Sequence, residues 1–190
     1  MSKLIVFTAP SGAGKTTIVR HLIKTLPDLS FSVSATTRYQ RPNEVNAKDY
    51  YFLSAEDFKA KIREEAFVEW EEVYHNQYYG TLKSEIKRLW DLNQNIIFDI
   101  DVQGALRIKQ AYPEKTLTIF VRPPSLETLI ERLTARNTEA PEQLEKRIAK
   151  ASYELSFDER FDYILLNDEL SVALKEAEKV VRAFIQSPRL

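Results

Sequence analysis

The sequence predicts an α/β fold, a central parallel sheet flanked by helices and interrupted by a strand-rich insertion. Three observations predict it. Strand and helix patterns alternate at both ends of the 190-residue chain, as βαβ units require. The segments "LIVF" (Leu4 to Phe7) and "NIIFDID" (Asn95 to Asp101) contain near-continuous apolar runs, the pattern of strands buried on both faces. Between about residues 34 and 83 the alternation gives way to several short strands, which reads as an inserted lobe and not as a separate domain.

Taken in order, Lys3 to Phe7 is the first strand, and Lys15 to Leu26 a helix ended by Pro27. Phe31 to Thr37, "FSVSATT", alternates as one strand and runs into the loop "RYQRPNE". Tyr50 to Leu53 is a short strand, after which Ser54 caps a helix with Asp57 at the capping spacing. "AFVEWEEVY" (Ala66 to Tyr74) alternates as a strand, and "QYYGT" follows after a tight connection. Leu82 to Leu92 is a helix on the spacing of Ile86, Leu89 and Trp90. After the Asn95 to Asp101 strand come a short helix, a strand at Leu117 to Val121 and "RPPS", with Ser125 capping Leu126 to Ala135. "RNTEAPE" (Arg136 to Glu142) is loop-like. A polar helix to about Phe157, a strand at Phe161 to Leu166 and a helix at Ser171 to Ile185 complete the chain.

The composition, 44% hydrophobic and 29% charged, is that of a globular protein. A net charge of −1 from 27 basic and 28 acidic residues, with no basic stripe, argues against a general nucleic-acid binder. Absence of Cys excludes disulfides, thiolate zinc sites and cysteine nucleophiles, and two distant histidines, His21 and His75, offer no metal cluster. The apolar run near the N-terminus is far short of a signal-peptide core or a membrane span, so a cytoplasmic protein with no membrane partner is expected.

"TAPSGAGKTT" (Thr8 to Thr17) joins the first strand to the first helix. The phosphate-loop pattern is G-x-x-x-x-G-K-[ST], and Ala9 stands at its first position, followed by Pro10, Ser11, Gly12, Ala13, Gly14, Lys15, Thr16 and Thr17. Glycines let successive backbone N–H groups turn inward around phosphate oxygens, and the helix opening at Lys15 adds its positive end. Lys15 would neutralise the β- and γ-phosphates, and Thr16 would offer a hydroxyl to Mg²⁺. A plain Gly-rich turn capping a helix explains two glycines but not the Lys–Thr pair. A nucleoside triphosphate is implied; the acceptor is not.

The chain resembles the guanylate kinases over nearly its whole length. The resemblance is carried by "APSGAGKTT", "SVSATTRYQRPNE", "DYYF", "FVEWEEVYHNQYYGT", "FDIDVQGA", "IFVRPPS", "ERLTARNTE" and "ILLND", in order and at plausible spacing. It implies the P-loop nucleoside-monophosphate-kinase fold: a core of residues 1–33, 84–123 and 151–190, a GMP-binding lobe of residues 34–83, and a helical lid of residues 124–150. The implied reaction is reversible transfer of the ATP γ-phosphoryl group to GMP, with Mg²⁺.

By that resemblance Arg38, Arg41, Tyr50 and Tyr79 hold the GMP phosphate, a role that guanidinium forks and phenol hydroxyls suit. Glu69 and Asp101 face the guanine N1–H and 2-amino group, since ionised carboxylates only accept, while Ser34 and Thr81 address O6 or N7. Asp99, two residues before Asp101 and on the same side of the strand, belongs to the magnesium water shell. Arg132, Arg136 and Arg147 are the lid arginines that reach the transferring phosphoryl group, and Asn167 lies near the adenine. From the residues alone, other uses stay open: a solvated basic loop at Arg38 and Arg41, a surface ion pair for Glu69, helix salt bridges for the three arginines. Asp99 could equally cap the helix that follows it, and Asn167 or Asp168 the last helix. Three departures stand out: Ala9 for the first loop glycine, "HNQYYG" where the family usually has "GNYYG", and Asn137 where it often has Gly. The alternatives are a P-loop kinase for another nucleoside monophosphate and a non-catalytic phosphopeptide-binding module, which typically lacks the loop and lid residues kept here.

Overall fold

The computed structural model describes residues 2–134 and 141–187. Its elements, in chain order, are β1 (Leu4–Thr8), α1 (Lys15–Thr25), β2 (Leu29–Phe31), β3 (Ala35–Thr36), β4 (Tyr51–Phe52), α2 (Ala55–Arg63), β5 (Phe67–Tyr74), β6 (Gln77–Leu82) and α3 (Lys83–Asp91). The second half runs β7 (Asn95–Asp99), α4 (Val102–Ala111), β8 (Thr116–Arg122), α5 (Leu126–Thr134), α6 (Pro141–Leu155), β9 (Tyr163–Leu166) and α7 (Leu170–Gln186).

The expected parallel sheet is present, five strands in the order β2-β7-β1-β8-β9. β1 is buried at every position because helices cover both faces. Its side chains divide by the two-residue period: Ile5 and Phe7 join Ile97, Ile119 and Val121 under α1 and α7, while Leu4 and Val6 join Ile96, Phe98 and Phe120 under α3 and α4. With β7 on one side of β1 and β8 on the other, the chain switches direction around β1. The crevice beyond its carboxyl end is where open α/β sheets bind ligands.

The insertion folds as a second sheet, β4-β3-β6-β5, with a core of its own. Phe58 of α2 is fully buried and stacks on Phe67 and Tyr78 with ring centroids 4.3 and 5.3 Å away. Such burial is worth roughly 1.5–3 kcal/mol for a ring of this size. Ser54 caps α2 as its spacing predicts, Oγ accepting from the Asp57 N–H at 3.0 Å.

Two expectations are corrected. Phe31 to Thr37 is not one strand. β2 belongs to the large sheet and β3 to the small one, because the chain crosses between sheets at residues 32–34 and the alternation there spans two different cores. The apolar run at Asn95 ends as a strand at Asp99, and Asp101 instead caps α4, accepting from the Gly104 N–H at 2.9 Å. In "HNQYYG", Asn76 supplies a left-handed turn position, φ 57°, and a register shift between Glu72 and Tyr74 adjusts the β5–β6 pairing beside it.

Candidate active site

The loop from Thr8 to Lys15 lies at the carboxyl end of β1, and α1 opens with no side chain capping its first N–H groups and no acid in its first turn. A helix start of this kind favours an anion. Gly12 and Gly14 have φ of 92° and 90°, which L residues rarely adopt. At Gly14 a Cβ would also stand 2.4 Å from Asn167 Nδ2. Ala9, buried in the core, is not among the positive-φ residues, so the first loop position needs no glycine.

Asp99 organises this end of the sheet. Lys15 Nζ pairs with its Oδ1 at 2.6 Å and donates to the Ile100 carbonyl at 2.9 Å, and Thr16 Oγ1 donates to its Oδ2 at 2.9 Å. The parallel register explains the meeting: Asp99 lies opposite Phe7, just before the loop begins. A hydroxyl and a carboxylate side by side are hard oxygen donors that fit Mg²⁺, which keeps most of its waters and takes few protein ligands. Among the described residues no group of three or more His, Asp or Glu forms a ready-made metal cage.

The phosphate loop and Asp99 line one concavity, and a second adjoins it at Lys15 and Asp99. The second brings together Ser34, Tyr50, Glu69, Tyr79 and Asp101, five of the eight residues expected around the acceptor. Glu69 is buried on β5 and accepts from Thr81 Oγ1 at 2.5 Å, placing a sixth beside them. Burial raises the Glu69 carboxyl to about 7, against the pull of the Thr81 hydrogen bond, with the nearby Asp101 charge adding to the rise. Glu71 is also raised, first by burial and then by the nearby Asp101.

Arg38 forks onto Glu44, Nη1 to Oε2 at 2.9 Å and Nη2 to Oε1 at 2.7 Å, with its guanidinium 5.2 Å from the centroid of the Tyr50 ring. Glu44 also accepts the Arg41 N–H at 2.8 Å. The Arg38 hydrogen bonds hold the Glu44 carboxyl down at about 2, and raise the arginine further above its ordinary value. Arg41 itself is exposed on the loop. Glu44, the last residue of "RYQRPNE", has no role in the expected site; an acid six residues after one arginine and three after another is the signal that marks it.

α6 reaches the phosphate loop from the other side. Arg147 Nη2 donates to Ser11 Oγ at 2.7 Å. Glu154, buried on the same helix, is raised by that burial while Lys150, Lys15 and a hydrogen bond from the Ser11 backbone pull it down. Arg132 on α5 donates to the carbonyls of Asn167 and Asp168 at 3.1 and 3.3 Å. Asn167 donates to the Ala13 carbonyl at 2.7 Å, tying the end of β9 to the phosphate loop, and Glu169 takes the N-cap position of α7. Arg136 and Asn137 lie outside the described residues.

The guanylate kinase family model matches residues 1–184. The chain belongs to the guanylate kinase family. It is 46% identical to a guanylate kinase of Bacteroides thetaiotaomicron over 96% of this chain and 90% of that protein. It is 44% identical to the guanylate kinase of Porphyromonas gingivalis over 97% of this chain and 99% of the relative. A guanylate kinase crystal structure from Anaplasma phagocytophilum superposes with a TM-score of 0.77 at 26% identity, covering 98% of this chain and 87% of that one. These guanylate kinase likenesses favour a catalytic phosphotransferase over a binding module or a kinase for another monophosphate. Among the described residues of this guanylate kinase family member, no helix is long and apolar enough to cross a membrane.

Proposed function

We propose that the chain catalyses ATP + GMP ⇌ ADP + GDP by direct in-line transfer, with Mg²⁺ carried by ATP. The carrying observation is the shared wall of the two concavities, where Lys15 and Asp99 stand between the phosphate loop and the pocket containing Glu69 and Asp101. A GMP phosphate oxygen attacks the γ-phosphorus, the bond to the β–γ bridging oxygen breaks, and ADP leaves with that electron pair. The attacking oxygen is already ionised at neutral pH, so neither a general base nor a protein nucleophile is needed. Catalysis then rests on positioning and on positive charge around the moving group.

In this reading the loop residues Ala9 to Thr17 and Asn167 hold ATP. Ser34, Arg38, Arg41, Tyr50, Glu69, Tyr79, Thr81 and Asp101 hold GMP. Lys15, Arg132, Arg136 and Arg147 supply charge to the transferring group, Arg136 on the strength of family resemblance. Thr16 and, through water, Asp99 would hold Mg²⁺, which when bound neutralises charge on the β- and γ-phosphates. Glu69 and Asp101 accept from the guanine edge, and a site built on such hydrogen bonds rejects an analogue lacking them by roughly 10⁴–10⁵. Water competes as acceptor, so the lobe of residues 34–83 and the lid of residues 124–150 close over both nucleotides. The cytoplasm, where ATP and GMP meet, is the setting. The test is ADP release from Mg·ATP with GMP, against AMP, CMP and UMP. Equal rates with another monophosphate would overturn the substrate assignment.

A further inference from the structure

Glu85 is an acid in the first turn of α3 whose side chain is 1% exposed. A buried carboxylate is tolerated only where donors surround it. Its Oε1 accepts from the Val33 N–H at 3.2 Å and Arg88 Nη2 at 2.9 Å, and its Oε2 from the Tyr51 hydroxyl and Arg88 Nε, both at 2.8 Å. Burial opposes ionisation, but these donors outweigh it and hold the carboxyl below its ordinary value, so it is charged at neutral pH.

The donors come from separate parts of the chain. Val33 lies on the crossing from β2 to β3, where the chain leaves the core sheet. Tyr51 is in β4, inside the lobe. Arg88 is one turn further along α3, the helix that starts where β6 returns from the lobe. Glu85 therefore ties the outgoing and returning crossings together and anchors a lobe strand to both. Two cleft residues flank its partners: Ser34 follows Val33, Tyr50 precedes Tyr51, and the Tyr51 N–H donates to the Ser34 carbonyl at 2.9 Å.

We propose that Glu85 is a positioning residue for the acceptor nucleotide, fixing the two crossings of the lobe and thereby the places of Ser34 and Tyr50 against GMP. It touches no substrate, and the inference rests on the GMP placement proposed above. Glutamine keeps the shape but has one accepting oxygen, and its NH₂ group would face donors. At least one of Val33, Tyr51 and Arg88 then loses its partner.

The experiment is steady-state kinetics of the full-length Glu85→Gln protein, varying GMP and ATP separately, with thermal melting alongside. The expected result is a rise in KM for GMP of about tenfold, the scale of one lost charge-assisted hydrogen bond, with KM for ATP within about twofold of wild type. Tyr51→Phe, a milder change that carries the test if Glu85→Gln does not fold, should raise KM for GMP by about threefold. Where both fold, adding Tyr51→Phe to Glu85→Gln should have almost no further effect. Equal rises for both nucleotides, or a lowered melting temperature with both KM values unchanged, would overturn the proposal. Ser34→Ala and Tyr50→Phe separate the two levels. If they raise KM for GMP while Glu85→Gln and Tyr51→Phe do not, the role of Glu85 fails alone; if they too leave it unchanged, the GMP placement and the role of Glu85 both fall.

Discussion

Lys15 and Asp99 form an ion pair of 2.6 Å across the carboxyl edge of the parallel sheet. Asp99 also receives the Thr16 hydroxyl, so one carboxylate holds both side chains proposed to meet the triphosphate. In the proposed placement, ATP draws Lys15 away from this partner or shares it.

Lys15→Ala should cut turnover by about 10²–10³ or more, as loss of a charge aimed at the transition state does. The fold should survive, because Lys15 is partly exposed and the core beneath it is unchanged. Turnover within a few-fold of wild type, measured by coupled ADP release, would remove Lys15 from the catalytic set.

Glu69, raised to about 7 by burial, should give acceptor binding a pH dependence if it meets the guanine as proposed. The guanine N–H groups need the ionised carboxylate, so KM for GMP should rise by up to about tenfold per unit as pH falls below 7, while KM for ATP changes far less. Stability runs the other way. The folded state holds this proton between pH 4.5 and about 7 where the unfolded chain has released it, so rising pH through that window removes stability. Glu69→Gln should weaken GMP binding and flatten both profiles. Equal loss of affinity for both nucleotides would contradict a guanine contact.

Arg38 presents a two-pronged fork to Glu44, and phosphate oxygens match the same geometry. Arg38→Lys keeps the charge but not the fork, and should raise KM for GMP about tenfold or more with kcat changed less. Glu44, held at about 2, stays ionised throughout any ordinary assay. Its stabilising contribution is present above pH 4.5 and fades as pH falls toward 2, so acid titration of Arg38→Lys should show a weaker loss than the parent.

Gly14→Ala combines a φ of 90° with a Cβ 2.4 Å from the Asn167 amide. The substitution should lower the melting temperature and raise KM for ATP, since the bond from Asn167 to the Ala13 carbonyl cannot survive in place. Retention of both values would show that the loop relaxes freely.

The core strands were legible because burial on both faces leaves a continuous apolar run, as in "LIVF", and the helix starts because Ser54 and Ser125 accept N–H groups three residues on. The crossing at residues 32–34 was not legible: alternation reports that a face is buried, not which sheet buries it. Five of the eight residues that the resemblance assigns to the acceptor line one cleft, but from the residues alone Glu69 reads equally as a surface acid, and it is the family motif that singles it out. The fork from Arg38 to Glu44 and the buried Glu85 were missed for the opposite cause. In sequence they look like surface charges on a loop and a helix, and burial by the returning chain is a long-range fact.

Asp99 and Asp101 sit two residues apart, the first at the end of β7 beside the phosphate loop and the second at the N-cap of α4 in the adjoining pocket. Two extended residues advance by about 6–7 Å. The spacing of their Cα atoms is therefore written into main chain, like marks on a ruler, and rotamers move the two carboxylates only about those fixed points. Drift at neighbouring positions would tune how tightly each nucleotide is gripped, whereas a single inserted or deleted residue between the two acids would spoil both grips at once.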